Sequence, residues 1–160
     1  MKNILSLIGL DNLDLAILDE LQNNGRISVA DLARKIHLSQ PAVHNRIKRL
    51  ERQGLIRRYV AVLDREMLGY DVLAFIQLGL KQHSNEQMQH LIDRLTALPE
   101  VLECYRVAGE FDLMLKVALA NTKQLDVFIE KHLANVSGIG RIATHLVLNE
   151  SKVSTALKVK

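Results

Sequence analysis

In the stretch LARKIHLSQPAVHNRIKRLERQGLI, Leu32 to Ile56, one helix has to end and another begin around Leu38. Val29, Leu32, Ala33 and Ile36 recur at helical spacing, and that helix ends near His37. Ser39 is placed to cap the next one, and Pro41 falls in its first turn, where a missing N–H costs nothing. Val43, Ile47 and Leu50 then share one face, and Gly54 ends the run. Two short helices joined this tightly, the second capped and basic, form a helix-turn-helix pattern. A first helix is expected just before these two, which makes the basic one the third. Leu13, Ile17, Leu18 and Leu21 mark its apolar stripe, Asp11 its N-cap and Asn24-Gly25 its stop. Ser28, with Asp31 three residues on, resembles a capping box at the start of the middle helix.

Charge is distributed unevenly along the chain. Residues 26–58 hold nine Lys or Arg against Asp31 and Glu51, a net +7, while the remainder holds twelve basic against sixteen acidic residues. One end of the chain suits a polyanion and the other does not. A solvated helix surface is the competing reading, but such a surface more often interleaves Glu with Lys, and from Gln40 to Gly54 Glu51 is the only acid. With Val43, Ile47 and Leu50 turned inward, the N-terminal part of the third helix is expected to meet bases. Ser39, Gln40, His44 and Asn45 are the candidates, since amide and hydroxyl groups bond base edges. Arg34, Lys35, Lys48, Arg49, Arg52, Arg57 and Arg58 suit phosphates, and Arg46, beside the apolar stripe, is left unassigned. One such unit buries little surface, and a two-fold dimer would present two third helices roughly 34 Å apart, about one DNA turn.

After Gly54 the pattern changes. Leu55–Leu63 (LIRRYVAVL) reads as a strand and Asp64–Gly69 as a linker, giving domains of residues 1–63 and 70–160. In the second domain, strands are expected over Tyr70–Lys81, Val101–Val107, Phe111–Leu119 and Ile142–Leu148. A helix capped by Ser84, with Gln87 at the capping-box position, carries the stripe Met88, Leu91, Ile92, Leu95 and Leu98. Another, opened by Asn121, carries Leu125, Phe128, Ile129 and Leu133. Val153–Val159 reads as a short strand or a tail. The fold class is therefore α+β: a winged helix-turn-helix followed by a ferredoxin-like βαββαβ domain. Its strands are apolar on both sides, with Ala74, Ile76, Leu78 and Leu80 set against Leu73 and Phe75. This calls for a second layer, and dimerisation through the open sheet face would supply it.

Other classes are poorly served. No apolar run reaches the 18 or so residues of a membrane span. The start, MKNILSLIGLDNLD, lacks the h-region of a signal peptide, and the single cysteine allows no internal disulfide, so the cytoplasm is the expected compartment. The histidines His37, His44, His83, His90, His132 and His145 form no H-E-x-x-H pair, and no P-loop or dinucleotide fingerprint is present. Cys104 has no activating base beside it in sequence and is expected in the core. No catalytic residue, metal site or cofactor is expected.

LDxxDxxILxxLQxxGRIS (Leu10 to Ser28), LSxxAVxxRIKRLExxGLI (Leu38 to Ile56) and VAGEFDLMLKV (Val107 to Val117) occur in this order, and the chain resembles the Lrp/AsnC, or feast/famine, transcription regulators. The resemblance implies DNA binding, dimers assembling into octamers, and a small effector, usually an amino acid, held by the second domain. It places the effector at the turn Gly109-Glu110-Phe111-Asp112 with Val107, and at a strand segment Thr144, His145 and Leu146 facing the pocket. Glycine at the turn lets backbone N–H groups approach a carboxylate. A plain strand-to-strand turn remains the alternative for Asp112. Two other readings share the architecture. A haem-biosynthesis decarboxylase would use His145 and Arg141 but not a basic third helix, and a nucleoid-architectural protein would have no effector.

Overall fold

The computed structural model describes residues 9–81 and 84–159. The apolar start and His83 lie outside them. The chain divides into two compact units, one reaching Val62 and taking in the chain end from Lys152, the other running from Leu63 to Ser151.

The first unit holds α1 (Asn12–Asn23), α2 (Val29–Lys35) and α3 (Gln40–Arg52). The expected caps form. Asp11 and Asp14 make a reciprocal capping box on α1, Ser28 Oγ accepts the Asp31 N–H, and Ser39 accepts the Ala42 N–H. Ile17, Leu32, Ala33, Val43 and Leu50 are buried together, with Leu18, Leu21, Ile36 and Ile47 packed around them. Leu13, expected in the stripe, stays half-buried, and the fully buried side chain of the first turn is Asp14. α3 closes at Gly54 (φ +74°), where the Leu55 N–H reaches the Leu50 carbonyl at 3.0 Å and the Gly54 N–H reaches Glu51. α2 closes in the same way through His37 (φ 55°), with the Leu38 N–H on the Ala33 carbonyl. A left-handed imidazole-bearing residue thus makes the tight turn that glycine usually makes.

The stretch 55–63 is not a strand. It is irregular and makes no ladder, and Val62 is 91% exposed. β-branched residues favour a strand only where a neighbouring backbone answers their N–H and C=O groups, and no described residue does so here. The wing expected from sequence is therefore an unpaired segment. Nor does Val153–Val159 form a strand. The chain end from Lys152, expected with the second domain, groups with the first.

The second unit holds β1 (Val72–Leu80), α4 (Asn85–Thr96), β2 (Val101–Arg106), β3 (Leu113–Leu119), α5 (Thr122–Ile129, extended by a π-helical turn Glu130–Ala134) and β4 (Ile139–Leu146). The antiparallel sheet has the order β2-β3-β1-β4, that of a split βαβ arrangement. β4 begins three residues earlier than the apolar pattern suggests, because Ile139 rather than Ile142 is the first side chain to enter the core. Ser84 occupies the N-cap of α4 without a side-chain cap bond, whereas Asn121 caps α5 through the Gln124 N–H. Ala74, Ile76, Leu78, Leu113, Leu115 and Val117 form the helix-facing side of the sheet, covered by Leu91, Leu95, Leu125 and Phe128. Cys104 packs beside this core, and burial raises its thiol pKa. The other face alternates Phe75, Met114, Tyr105 and Ala143 with Gln77, Lys116, Glu103 and His145, so it is only half apolar.

Replacing His37 by glycine should remove the left-handed penalty and raise the unfolding free energy of the first unit by roughly 0.5–1 kcal/mol, measured by urea denaturation.

Candidate nucleic-acid interface and effector turn

α3 presents Gln40, His44, Asn45, Lys48 and Arg52 on its exposed side, with Ser39 at its start. Asn45, Lys48, Glu51 and Arg52 line a shallow groove along it. Lys48, Arg52, Arg57 and Arg58 make no ion pair among the described residues. The remaining cations are engaged. Arg34 pairs with Asp31, Lys35 Nζ lies 2.7 Å from Glu20 Oε2, and Arg49 Nη2 lies 2.5 Å from Asp14 Oδ2.

The Arg49 pair belongs to a larger cluster. Asp14 is fully buried, and its Oδ1 also accepts from Arg46 Nη1 at 2.8 Å. Its Oδ2 closes the capping box by accepting the Asp11 N–H at 3.0 Å. Arg46 Nη1 further reaches both Asp11 carboxylate oxygens, at 2.9 and 2.8 Å. One buried carboxylate thus caps α1 and grips two arginines of α3 three residues apart. The arginines are partly solvated, with 24% and 38% of their side chains exposed, and this lowers the cost of burying the pair. The Asp14 backbone N–H and then Arg46 hold the Asp11 carboxyl below its ordinary 3.8. Asp11 therefore stabilises the fold above that value, and the contribution fades as pH falls through the lowered one. Asp14 and then Asp11 raise the Arg46 pKa. Arg49, expected at phosphate, is turned toward Asp14, and Arg46, which periodicity left unassigned, is its companion.

Tyr59 was no sequence candidate. Its hydroxyl donates to Glu51 Oε1 at 3.1 Å, and its ring lies 3.8 Å from where a Gly25 Cβ would stand. Burial first and Glu51 second push its pKa up to about 12. The single acid of α3, though exposed in the groove, thus also fastens the segment after α3. A tyrosine eight residues from an isolated glutamate offers no periodic signal.

In the second unit the GEFD turn joins β2 to β3. Asp112 ties it to β1: its N–H donates to the Leu78 carbonyl at 2.9 Å, and its Oδ2 accepts the Leu80 N–H at 2.8 Å. The Val107 N–H closes the hairpin on the Asp112 carbonyl at 3.0 Å. Gly109 has φ +142° and faces open space, so a side chain there would strain the backbone without clashing. Glu110 pairs with Arg141, whose guanidinium carbon sits 5.0 Å above the Phe111 ring centre. Arg141 stands opposite Gly79 in the ladder, and the bare glycine leaves room for Arg141 and Phe111 to meet. Thr144, His145 and Leu146 are not brought to this turn. They lie opposite Ile76, Phe75 and Ala74, about 10 Å or more along β4 from Arg141. They also alternate faces, so one pocket of this chain cannot take all three. His145 Nε2 instead meets Gln77 Oε1 at 3.2 Å. Among the described residues no group of three or more His, Cys, Asp or Glu is placed to hold a metal ion. No helix among them is long and apolar enough to cross a membrane.

A capped basic helix-turn-helix followed by a split-βαβ domain defines a DNA-binding transcription regulator with a ligand-binding module. Residues 10–51 match the AsnC-type helix-turn-helix domain, and residues 73–157 match the Lrp/AsnC ligand binding domain. The chain belongs to the Lrp/AsnC family. It is 34% identical over 151 residues to the leucine-responsive regulatory protein of Haemophilus influenzae, covering 94% of this chain and 91% of that one. It is 32% identical to the Escherichia coli leucine-responsive regulatory protein, with 94% and 92% covered. Among solved structures, a Neisseria meningitidis transcriptional regulator in complex with L-Met has a TM-score of 0.88 at 30% identity, covering 92% of this chain and 96% of that chain. Escherichia coli AsnC has a TM-score of 0.83 at 28% identity, covering 92% of this chain and 97% of that chain.

Asp14→Asn should leave Arg49 without a carboxylate and Arg46 with Asp11 alone, and lower the stability of the first unit by on the order of 3 kcal/mol, since its partners keep part of their solvation. Urea unfolding followed by circular dichroism measures it, and an unchanged midpoint would contradict the clamp.

Proposed function

We propose that the protein is a homodimeric transcription regulator, assembling further to an octamer, that binds double-stranded DNA through α3 and answers to an amino acid at the second domain. The observation that carries the DNA reading is the exposed side of α3. There Gln40, His44 and Asn45 lie beside Lys48 and Arg52, which make no ion pair among the described residues, and the one acid, Glu51, accepts a hydrogen bond from Tyr59. Ser39, Gln40, His44 and Asn45 read base edges, while Lys48, Arg52, Arg57 and Arg58 take phosphates. Arg34 and Lys35 reach phosphates only by leaving Asp31 and Glu20, and exposed pairs of that kind are weak enough to exchange. Arg49 positions the helix instead. The half-apolar open sheet face favours a two-fold partner there, which would set two α3 helices one DNA turn apart.

The effector reading rests on the turn Val107, Gly109, Glu110 and Asp112, with Arg141 added from β4. An amino acid carries one cation and one anion, and the exposed Glu110–Arg141 pair offers a partner for each. The L-Met complex of the Neisseria relative supports an amino acid as ligand class. Within one chain Thr144, His145 and Leu146 stand outside this set. A regulator of this kind works in the cytoplasm, beside DNA and free amino acids, and needs no catalytic residue.

DNA affinity should fall steeply with salt. Lys48→Ala should reduce the slope of log K against log salt by about 1, whereas Arg49→Ala should leave the slope unchanged while lowering stability. Asn45→Ala should relax sequence preference by about 1–3 kcal/mol at a single base position in a binding-selection assay. A thermal-shift screen of the twenty amino acids should yield a hit that Gly109→Val abolishes. No shift at millimolar ligand would favour an architectural protein without effector.

A further inference from the structure

The chain end leaves β4 and runs from Lys152 among the residues of the first unit. There one side chain holds it. The Gln22 carboxamide oxygen accepts the Leu157 N–H at 2.7 Å, and its Nε2 donates to the Leu157 carbonyl at 3.0 Å. A carboxamide can satisfy a backbone N–H and C=O in this paired way whatever the residue carries as a side chain, so the grip selects an extended main chain. Leu157 itself is exposed, which places the contribution in the main-chain bonds rather than in apolar burial. Three residues beyond Gln22, Gly25 lies against Tyr59 of the segment that leads out of α3. The outgoing and returning segments therefore meet the same end of α1. At their other end they are joined again within the second unit, where Arg65 Nε lies 3.2 Å from Glu150 Oε2 and its Nη1 donates to the Tyr70 carbonyl at 2.8 Å.

We propose that residues 152–158 form a second tether between the domains, seated on the DNA-binding unit by the Gln22 carboxamide, so that β4 is linked directly to α1. The single linker expected from sequence becomes a two-segment connection fastened at both ends. β4 carries Arg141, which meets the effector turn, near its start, and residues 147–151 lead from its end at Leu146 to the segment that seats on α1. The part of this proposal that concerns effector response rests on the function proposed above, while the seating itself does not.

Hydrogen exchange of the full-length protein, read by mass spectrometry on peptides covering residues 153–158, tests the seating independently of DNA and ligand. The Leu157 amide should exchange about tenfold more slowly in the wild type than in Gln22→Ala, the effect of a lost hydrogen bond of ordinary net strength. Gln22→Glu should fall between them, because a carboxylate accepts the N–H but cannot donate to the carbonyl. A Leu157 amide that exchanges at the free-peptide rate in the wild type, or equally in all three proteins, overturns the proposal. For coupling, Gln22→Ala and truncation after Ser151 should each weaken the change in DNA affinity produced by the amino acid found in the thermal-shift screen, with ligand binding retained. An unaltered response in both variants overturns the tether as a coupling element. Failure of the wild type to bind DNA at all would instead count against the proposed function and leave the exchange result to decide the seating.

Discussion

A single carboxylate organises the DNA-facing end of this chain. Asp14 is buried at the start of α1, and its oxygens accept one backbone N–H and two guanidiniums from α3. A charge in that position is tolerable only because each partner is present, and the partners come from two helices, so their relative setting is specified by hydrogen-bond geometry as well as by packing. Hydrophobic contact among Ile17, Leu32, Val43 and Leu50 brings the helices together without dictating rotation about their axes. The Asp14 fork supplies that constraint, and with it the direction in which His44, Asn45 and Lys48 point. The basic stretch therefore contains arginines of two kinds: those that build the helix pair and those left to the solvent side.

The second domain shows a parallel economy at its turn. Asp112 uses its backbone N–H and its side chain on β1, which lies beside β3 in the sheet, and so pins a hairpin tip that would otherwise project freely. With the tip held, Glu110, Phe111 and Arg141 come together over Gly79, a position where the ladder carries no side chain. The hydrogen bonds of Asp112 to β1 give it a structural role in holding the turn, while Arg141 and Glu110 are the exposed charges beside it.

Much of the fold was legible because it rests on short-range rules. Ser28, Ser39, Asn121 and Gly54 announce helix ends, and the stripes of α4 and α5 reach the core as periodicity requires. What escaped depends on partners distant in sequence. Asp14 carries no local sign of its role because Arg46 and Arg49 lie more than thirty positions away. Leu55–Leu63 carried strand-forming residues, yet a strand needs a second backbone. Thr144, His145 and Leu146 came from the resemblance, and a strand read alone gives no register that would point to Arg141. Only the ladder, with Arg141 opposite Gly79, shows which residue meets the turn. The attachment of the chain end to Gln22 spans 135 positions and leaves no local trace.

The strand order also dictates an order of events during synthesis. β1 occupies an inner position, paired on one side with β3 and on the other with β4, so Ala74 waits for Leu146 before its second neighbour exists. The three helices of the first unit need only contacts among residues 10–56, and such local contacts form quickly, whereas a non-local ladder carries a loop-closure cost. A ribosome-bound chain thus acquires its basic helical unit while the sheet is still missing its fourth strand, and the segment that returns to α1 follows that strand.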